Sequence, residues 1–220
     1  MTEYATTSRT ATVAASDTDL AARIVSLVGS RLCHDLISPL GAIGNGVELL
    51  QMAGDWPGLK ESPEMSLIED ALRAARARIT CFRIAFGATG GAQRVSPAEF
   101  AALIADVQSA GRMRITLAAP DDHARSQVKL VMLALMCLET AMPWGARVTI
   151  RQQGRDWTIA AEADRTRHDP ALWAWLDGPR AGQPEPAASE VHFPLLGLAA
   201  KELGRDIRWS LTESGAEIRF

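Results

Sequence analysis

A chain of 220 residues with 47% apolar and 22% charged content has the make-up of an ordinary globular protein, with length for one large domain or two small ones. A net charge of −3 and a pI near 5.8 give no electrostatic case for nucleic acid or an anionic membrane as partner. The three cysteines, Cys33, Cys81 and Cys137, are far apart and form no C-x-x-C pair, which argues against a disulfide framework or structural zinc and for a reducing, cytoplasmic compartment.

Residues 1–15, rich in Thr, Ala and Ser, read as a disordered tail without the apolar centre of a signal peptide. Ser16 or Asp17 is placed to cap a helix that runs to about Met52. Val25, Val28, Leu32, Leu36, Leu40, Ile43, Val47 and Leu50 recur along it as one apolar stripe. A turn cluster follows at 54–58. Ser62-Pro63-Glu64 then opens a second helix with its own seam, Met65, Ile68, Leu72, Ala75, Ile79, Phe82 and Phe86. Arg73, Arg76 and Arg83 fall off that seam. Gly87, Gly90 and Gly91 end the helix and separate a helical unit, 16–90, from a second unit, 94–220.

An antiparallel hairpin alone buries one narrow seam. Two hairpins from two copies are therefore expected to complete a four-helix bundle as a homodimer. The alternative is that the hairpin packs only on its own C-terminal half.

Beyond the boundary the pattern becomes mixed. Ser96-Pro97-Ala98-Glu99 is a capping box for a helix to about Ala110. A strand is expected over 112–118 and an apolar helix over 125–142. Its longest apolar run, 130–138, is too short to span a bilayer. A hairpin around Gly154 pairs 147–153 with 156–163. A short helix over 170–177, a flexible Pro-rich linker over 178–189, a helix over 194–203 and closing strands 206–211 and 216–220 complete the chain. The fold class is α+β, a helical hairpin followed by a sandwich with helices on one face of a mixed sheet.

Chemistry concentrates in one stretch, Arg31-Leu32-Cys33-His34-Asp35-Leu36-Ile37-Ser38-Pro39. On a wheel of about 100° per residue, His34 lies opposite the apolar stripe, with Arg31, Ser38, Gly41 and Asn45 on its own side. An exposed imidazole is neutral enough near pH 7 to act as a nucleophile toward a phosphoryl group. Asp35 is placed to orient the ring or take its proton. Pro39 removes a donor to the Asp35 carbonyl and should kink the helix there, or merely bend it around the core. Cys33-His34 lacks a second ligand pair, so no metal is expected. No G-x-S-x-G elbow supports a serine triad.

The run Leu32 to Ile43, continuing through Asn45-Gly46-Val47-Glu48-Leu49-Leu50, resembles the phosphoacceptor helix of the ChpT-type histidine phosphotransferases of alphaproteobacteria. His34, Asp35 and Pro39 also match the His-Asp/Glu-x-x-x-Pro box of dimeric histidine kinases, and Arg83-Ile84-Ala85-Phe86-Gly87 resembles the same phosphotransferase family. The resemblance implies a homodimeric bundle whose C-terminal domain is shaped like a degenerate histidine-kinase ATPase (Bergerat-like) domain without ATP binding.

The chain agrees with that implication. Cys137 stands where a kinase carries its Mg–ATP asparagine. Ala163-Asp164-Arg165-Thr166-Arg167-His168 stands where an Asp-x-Gly-x-Gly loop would be, and the glycine-rich lid is replaced by the Pro-rich linker and Gly197. No cofactor is expected. The implied phosphoryl donor is the receiver domain of a hybrid histidine kinase. The implied acceptors are response-regulator receivers of the CtrA and CpdR type, which bring their own Mg²⁺. Arg165 and Arg167 are candidates to meet a receiver, with solvated loop arginines as the plain alternative. An ATP-using kinase and a non-catalytic dimer that only binds receivers are the competing readings.

Overall fold

The computed structural model describes residues 6–53, 56, 58–88 and 92–220, with side chains of the first helix described at 25 and from 27 onward. Helix α1 (Thr6–Met52) and helix α2 (Pro63–Ala85) form the hairpin. Ser62 caps α2 by accepting the Met65 N–H at 3.1 Å, with Pro63 in the first turn. Residues 54, 55 and 57 of the expected turn, and 89–91 of the expected boundary, lie outside the described residues, as do 1–5 of the expected tail.

One expectation is corrected in the hairpin. The helix begins at Thr6, so 6–15 are helical and Ser16 and Asp17 sit inside α1. No glycine or proline interrupts 6–24, and alanine is frequent there, so nothing local stops the helix from starting earlier. Of the apolar stripe of α1, only Leu40 and Val47 are half-buried. Cys33 and Gly44 are buried against α2, whereas Val25, Val28, Leu32, Leu36, Ile43 and Leu50 are all at least half exposed.

The second unit comprises β1 (Arg94–Val95), α3 (Pro97–Ala110), β2 (Met113–Ala118), β3 (His123–Ala124), α4 (Arg125–Ala141), β4 (Ala146–Gln153), β5 (Asp156–Glu162), α5 (Pro170–Trp173), α6 (His192–Glu202), β6 (Arg208–Leu211) and β7 (Gly215–Arg219). The Ser96–Glu99 capping box is present as its spacing predicts. Five strands form one sheet in the order β2-β4-β5-β7-β6, with β2 and β4 parallel and the other pairs antiparallel. A parallel pair needs a crossover, and α4 lies within it.

Side chains alternate across the sheet. Val148, Ile150, Trp157, Ile159, Ala161, Ala216 and Ile218 point into the core, while Arg147, Arg151, Glu162 and Arg219 are exposed. Helix α4 is apolar on nearly every face and is the buried centre of the unit, touching the sheet, α2 and α6. Its N-terminal part lies against the end of α2, so the hairpin and the sheet domain share one core that includes Cys81, Ile84 and Ala85.

Two further differences come from non-local bonding. Strands β1 and β3, each of two residues, pair antiparallel and have no counterpart in the sequence pattern. Residues 178–189 are not a free linker. Trp175 Nε1 donates to the Pro184 carbonyl at 3.2 Å and Gln183 Nε2 donates to the Ala171 carbonyl at 3.1 Å, fastening the segment onto α5 and the 3₁₀ turn Ala174–Asp177.

Candidate functional site

Helix α1 divides into three faces at about 100° per residue. Cys33, Gly44 and their neighbours face α2, the apolar stripe faces outward, and His34 projects on a third side, opposite the stripe and about a quarter-turn from α2. Its side chain is 82% exposed. A long helix anchored by α2 on one side therefore presents the imidazole on a rigid support open to a second molecule.

The adjacent carboxylate reaches the ring. Asp35 Oδ1 lies 3.1 Å from His34 Nδ1, and Arg31 Nε donates to Asp35 Oδ2 at 2.7 Å. Consecutive residues on a helix diverge, so this contact needs a specific Asp35 conformation, and Arg31 one turn earlier holds it. The His34 and Arg31 hydrogen bonds hold the Asp35 carboxyl below the ordinary carboxylate range. An ionised carboxylate only accepts, so in the neutral ring Nδ1 carries the hydrogen and Nε2 the lone pair. The arrangement selects the tautomer whose outer nitrogen is nucleophilic.

The strip around His34 is small and polar. Ser38 and Asn45 are exposed, and a side chain added at Gly41 would meet nothing within 4 Å. Pro39 lies within a continuous α1, also exposed. From α2, Arg76 Nη2 donates to the carbonyls of Leu40 at 3.1 Å and Gly41 at 3.4 Å. A Cβ at Gly44 would collide with the Arg76 guanidinium, so Gly44 lets that side chain cross α1.

His34 sits level with the end of α2. Ser30, one turn before it, accepts the Ala88 N–H at 3.2 Å, and Gly29 packs against Phe86. Arg83 is close enough to oppose the rise that burial imposes on the Cys33 thiol. Lys129 Nζ donates to the Gly87 carbonyl at 3.0 Å, and Arg125 Nη2 donates to the Arg83 carbonyl at 3.4 Å. Arg83, Arg125 and Lys129 thus gather where the end of α2 meets α4, with Arg83 near Cys33, the residue before His34. The sequence shows Arg83 leaving the seam and opening the family-like stretch, but not its gathering with Arg125 and Lys129, because the juxtaposition spans 42 positions.

Arg165 and Arg167 are placed elsewhere. Arg165 stacks on the exposed Trp144 ring, 3.8 Å from its centroid. Arg167 faces Glu190 at 3.3 Å and Asp169 at 3.9 Å. The Arg167 N–H donates to the Ala141 carbonyl, so this loop lies at the C-terminal end of α4, whereas Arg125 and Lys129 lie at its start, about 25 Å away along the helix. The structure does not bring the two arginines to His34. Cys137 is fully buried in the core, facing no cleft. Among the described residues no three His, Cys, Asp or Glu side chains converge as metal ligands would. No described helix is long and apolar enough to cross a membrane.

Residues 97–215 match the family model described as the histidine phosphotransferase C-terminal domain. The chain is 33% identical over 195 residues to the protein phosphotransferase ChpT of Brucella abortus, spanning 83% of this chain and 87% of that one. A bacterial phosphotransferase solved at 1.7 Å superposes with a TM-score of 0.63 at 28% identity, covering 86% of this chain and 91% of the other. The histidine kinase domain of a blue-light-activated kinase from Erythrobacter litoralis aligns at 15% identity with a TM-score of 0.41, over 87% and 90% of the two chains.

Proposed function

The chain belongs to the histidine phosphotransferase family, and we propose that His34 is its phosphoacceptor, loaded from the aspartyl phosphate of one receiver domain and discharged onto the aspartate of another. The observation that carries this is the Asp35 carboxylate on Nδ1 of an exposed imidazole, leaving Nε2 free. The Nε2 lone pair attacks phosphorus in line, the N–P bond forms, and the P–O bond to the receiver aspartate breaks, returning its carboxylate. The Nδ1 hydrogen stays in place, and Asp35 faces the positive charge that develops on the ring. Any divalent cation belongs to the receiver, whose own groups stabilise the transferring phosphoryl. The reverse step unloads His34.

The strip of Arg31, Ser38, Gly41 and Asn45 is the surface the receiver covers in this reading. Arg165 and Arg167 would form a separate second contact, the first as a guanidinium held on Trp144. Homodimerisation is supported by the uncovered stripe from Val25 to Leu50, continued on α2 by the exposed Ile68. Burying it between two hairpins makes a four-helix bundle and leaves His34 on the outside. Transfer without ATP is supported by the buried Cys137 at the asparagine position and by a 163–168 loop without glycine, closed by Arg165 on Trp144.

The test is transfer of label. With a phosphorylated hybrid-kinase receiver, the protein should acquire acid-labile, alkali-stable phosphate, and His34→Ala should abolish it while receiver binding persists. Transfer at the wild-type rate in His34→Ala refutes the assignment. Labelling from ATP alone would instead make the chain a kinase.

A further inference from the structure

The Arg83-Ile84-Ala85-Phe86-Gly87 stretch is explained by packing at four of its five positions. Ile84 and Ala85 are buried in the core shared with α4. Phe86 packs against Gly29 and, ring to ring at 5.4 Å, against Phe82. A Cβ at Gly87 would collide with the Arg83 carbonyl and press on Ser30 Oγ. Only the Arg83 side chain lacks a structural task. It is exposed and, among the described residues, makes no hydrogen bond or ion pair.

Its surroundings are cationic. Arg125 stands close enough for Arg83 to push its charge toward deprotonation, adding to the effect of burial. Lys129, held down mainly by burial, is likewise disfavoured by Arg125 and relieved by Glu202 of α6. Arg125 and Lys129 have a structural role, since they donate to the last carbonyls of α2. Arg83 does not. It is held beside like charges on the side of the hairpin where Ser30 and Cys33 lead into His34.

Resting on the phosphotransfer reading above, we propose that Arg83, backed by Arg125 and Lys129, is the docking contact for the acidic face that a phosphorylated receiver presents around its aspartyl phosphate. The occupant follows from charge. Like-charged side chains with one nearby acid complement a partner surface that is anionic where it meets His34. Arg83 acts as a positioning residue. It brings the phosphoryl group to Nε2 and takes no part in bond making, which separates it from Asp35. Arg31 is engaged differently, through its Nε on Asp35.

The test compares wild type with Arg83→Gln, Arg83→Glu and Arg83→Lys in the full-length protein. His34 is loaded in parallel by a phosphorylated receiver and by phosphoramidate, a small donor that needs no docking. The expected result is a roughly five- to tenfold fall in the ratio of receiver-driven to phosphoramidate-driven loading for Gln, carried in KM. The fall should be larger for Glu, with partial recovery for Lys and a shallower salt dependence in Gln. An unchanged ratio, or parallel loss of both routes, overturns the proposal, the latter by showing a structural role. Calorimetry of receiver binding separates the two readings. If wild type accepts no phosphoryl group at all, weaker binding by Arg83→Glu than by wild type still upholds the docking contact, and equal binding refutes it.

Discussion

Asp35 places one carboxylate oxygen 3.1 Å from Nδ1 of His34, its neighbour in sequence. Its other oxygen is held by Arg31 at 2.7 Å, one helical turn earlier. The three side chains form a relay of orientation rather than of protons, in which Arg31 fixes Asp35 and Asp35 fixes the ring. Asp35→Asn keeps the shape but offers an amide that can donate, which permits the wrong tautomer. Phosphoryl transfer from a receiver should fall by about 10²-fold, the scale of a lost acid–base or orienting partner, with little change in receiver affinity. Single-turnover kinetics on rapid-quench samples measures this, and an unchanged rate would assign the orientation of His34 to something else.

The same contacts set the titration of Asp35. Its carboxyl is held low first by the His34 hydrogen bond and then by Arg31. Removing either partner raises it. The carboxyl carbon chemical shift followed against pH reads the midpoint directly. A midpoint unchanged in both variants would mean that the hydrogen bonds do not persist in solution.

Much of this was legible in the sequence, for a physical reason. Ser62-Pro63 and Ser96-Pro97-Ala98-Glu99 are local capping chemistry, and α2 and α3 start where those residues say. The exposure of His34 follows from the period of the helix alone. What escaped is non-local. Ser16 and Asp17 resemble a cap but lie in a stretch that no residue interrupts. The β1–β3 pair and the fastening of 178–189 depend on partners that no periodicity announces. The gathering of Arg83, Arg125 and Lys129 likewise appears only once α2 meets α4.

Gly41 offers a way to separate stability from docking. It is helical, and a Cβ there meets nothing. Gly41→Ala should therefore raise stability by about 0.5–1 kcal/mol through helix propensity, visible as a higher Tm. The added bulk stands on the strip beside His34, so a larger residue, Gly41→Leu, should weaken receiver binding while the fold persists. Gly87→Ala behaves oppositely, since its Cβ would meet the Arg83 backbone and the end of α2 must shift.

The stripe of α1 predicts the state of assembly. Leu32 and Leu36 are more than half exposed on the side away from His34. Leu36→Glu places a charge in the centre of the expected bundle core, at a cost of several kcal/mol that two copies would each contribute. Light scattering should show a dimer for wild type and a monomer for the variant at micromolar concentration. A wild-type monomer would return the stripe to some other covering.

His192 gives the domain a pH dependence of known sign. Its ring is buried at the start of α6, with Nε2 3.0 Å from the Thr140 hydroxyl, and burial lowers its pKa from 6.5 to about 4. The folded state thus resists a proton that the unfolded state accepts. Stability is complete above about 6.5 and declines as pH falls toward about 4, by roughly 3 kcal/mol in all if the unfolded ring titrates normally. Urea denaturation between pH 7 and 4 should show the decline in wild type and a flatter profile in His192→Gln, whose neutral amide can still meet Thr140. Equal slopes in the two proteins would transfer the acid sensitivity to other groups.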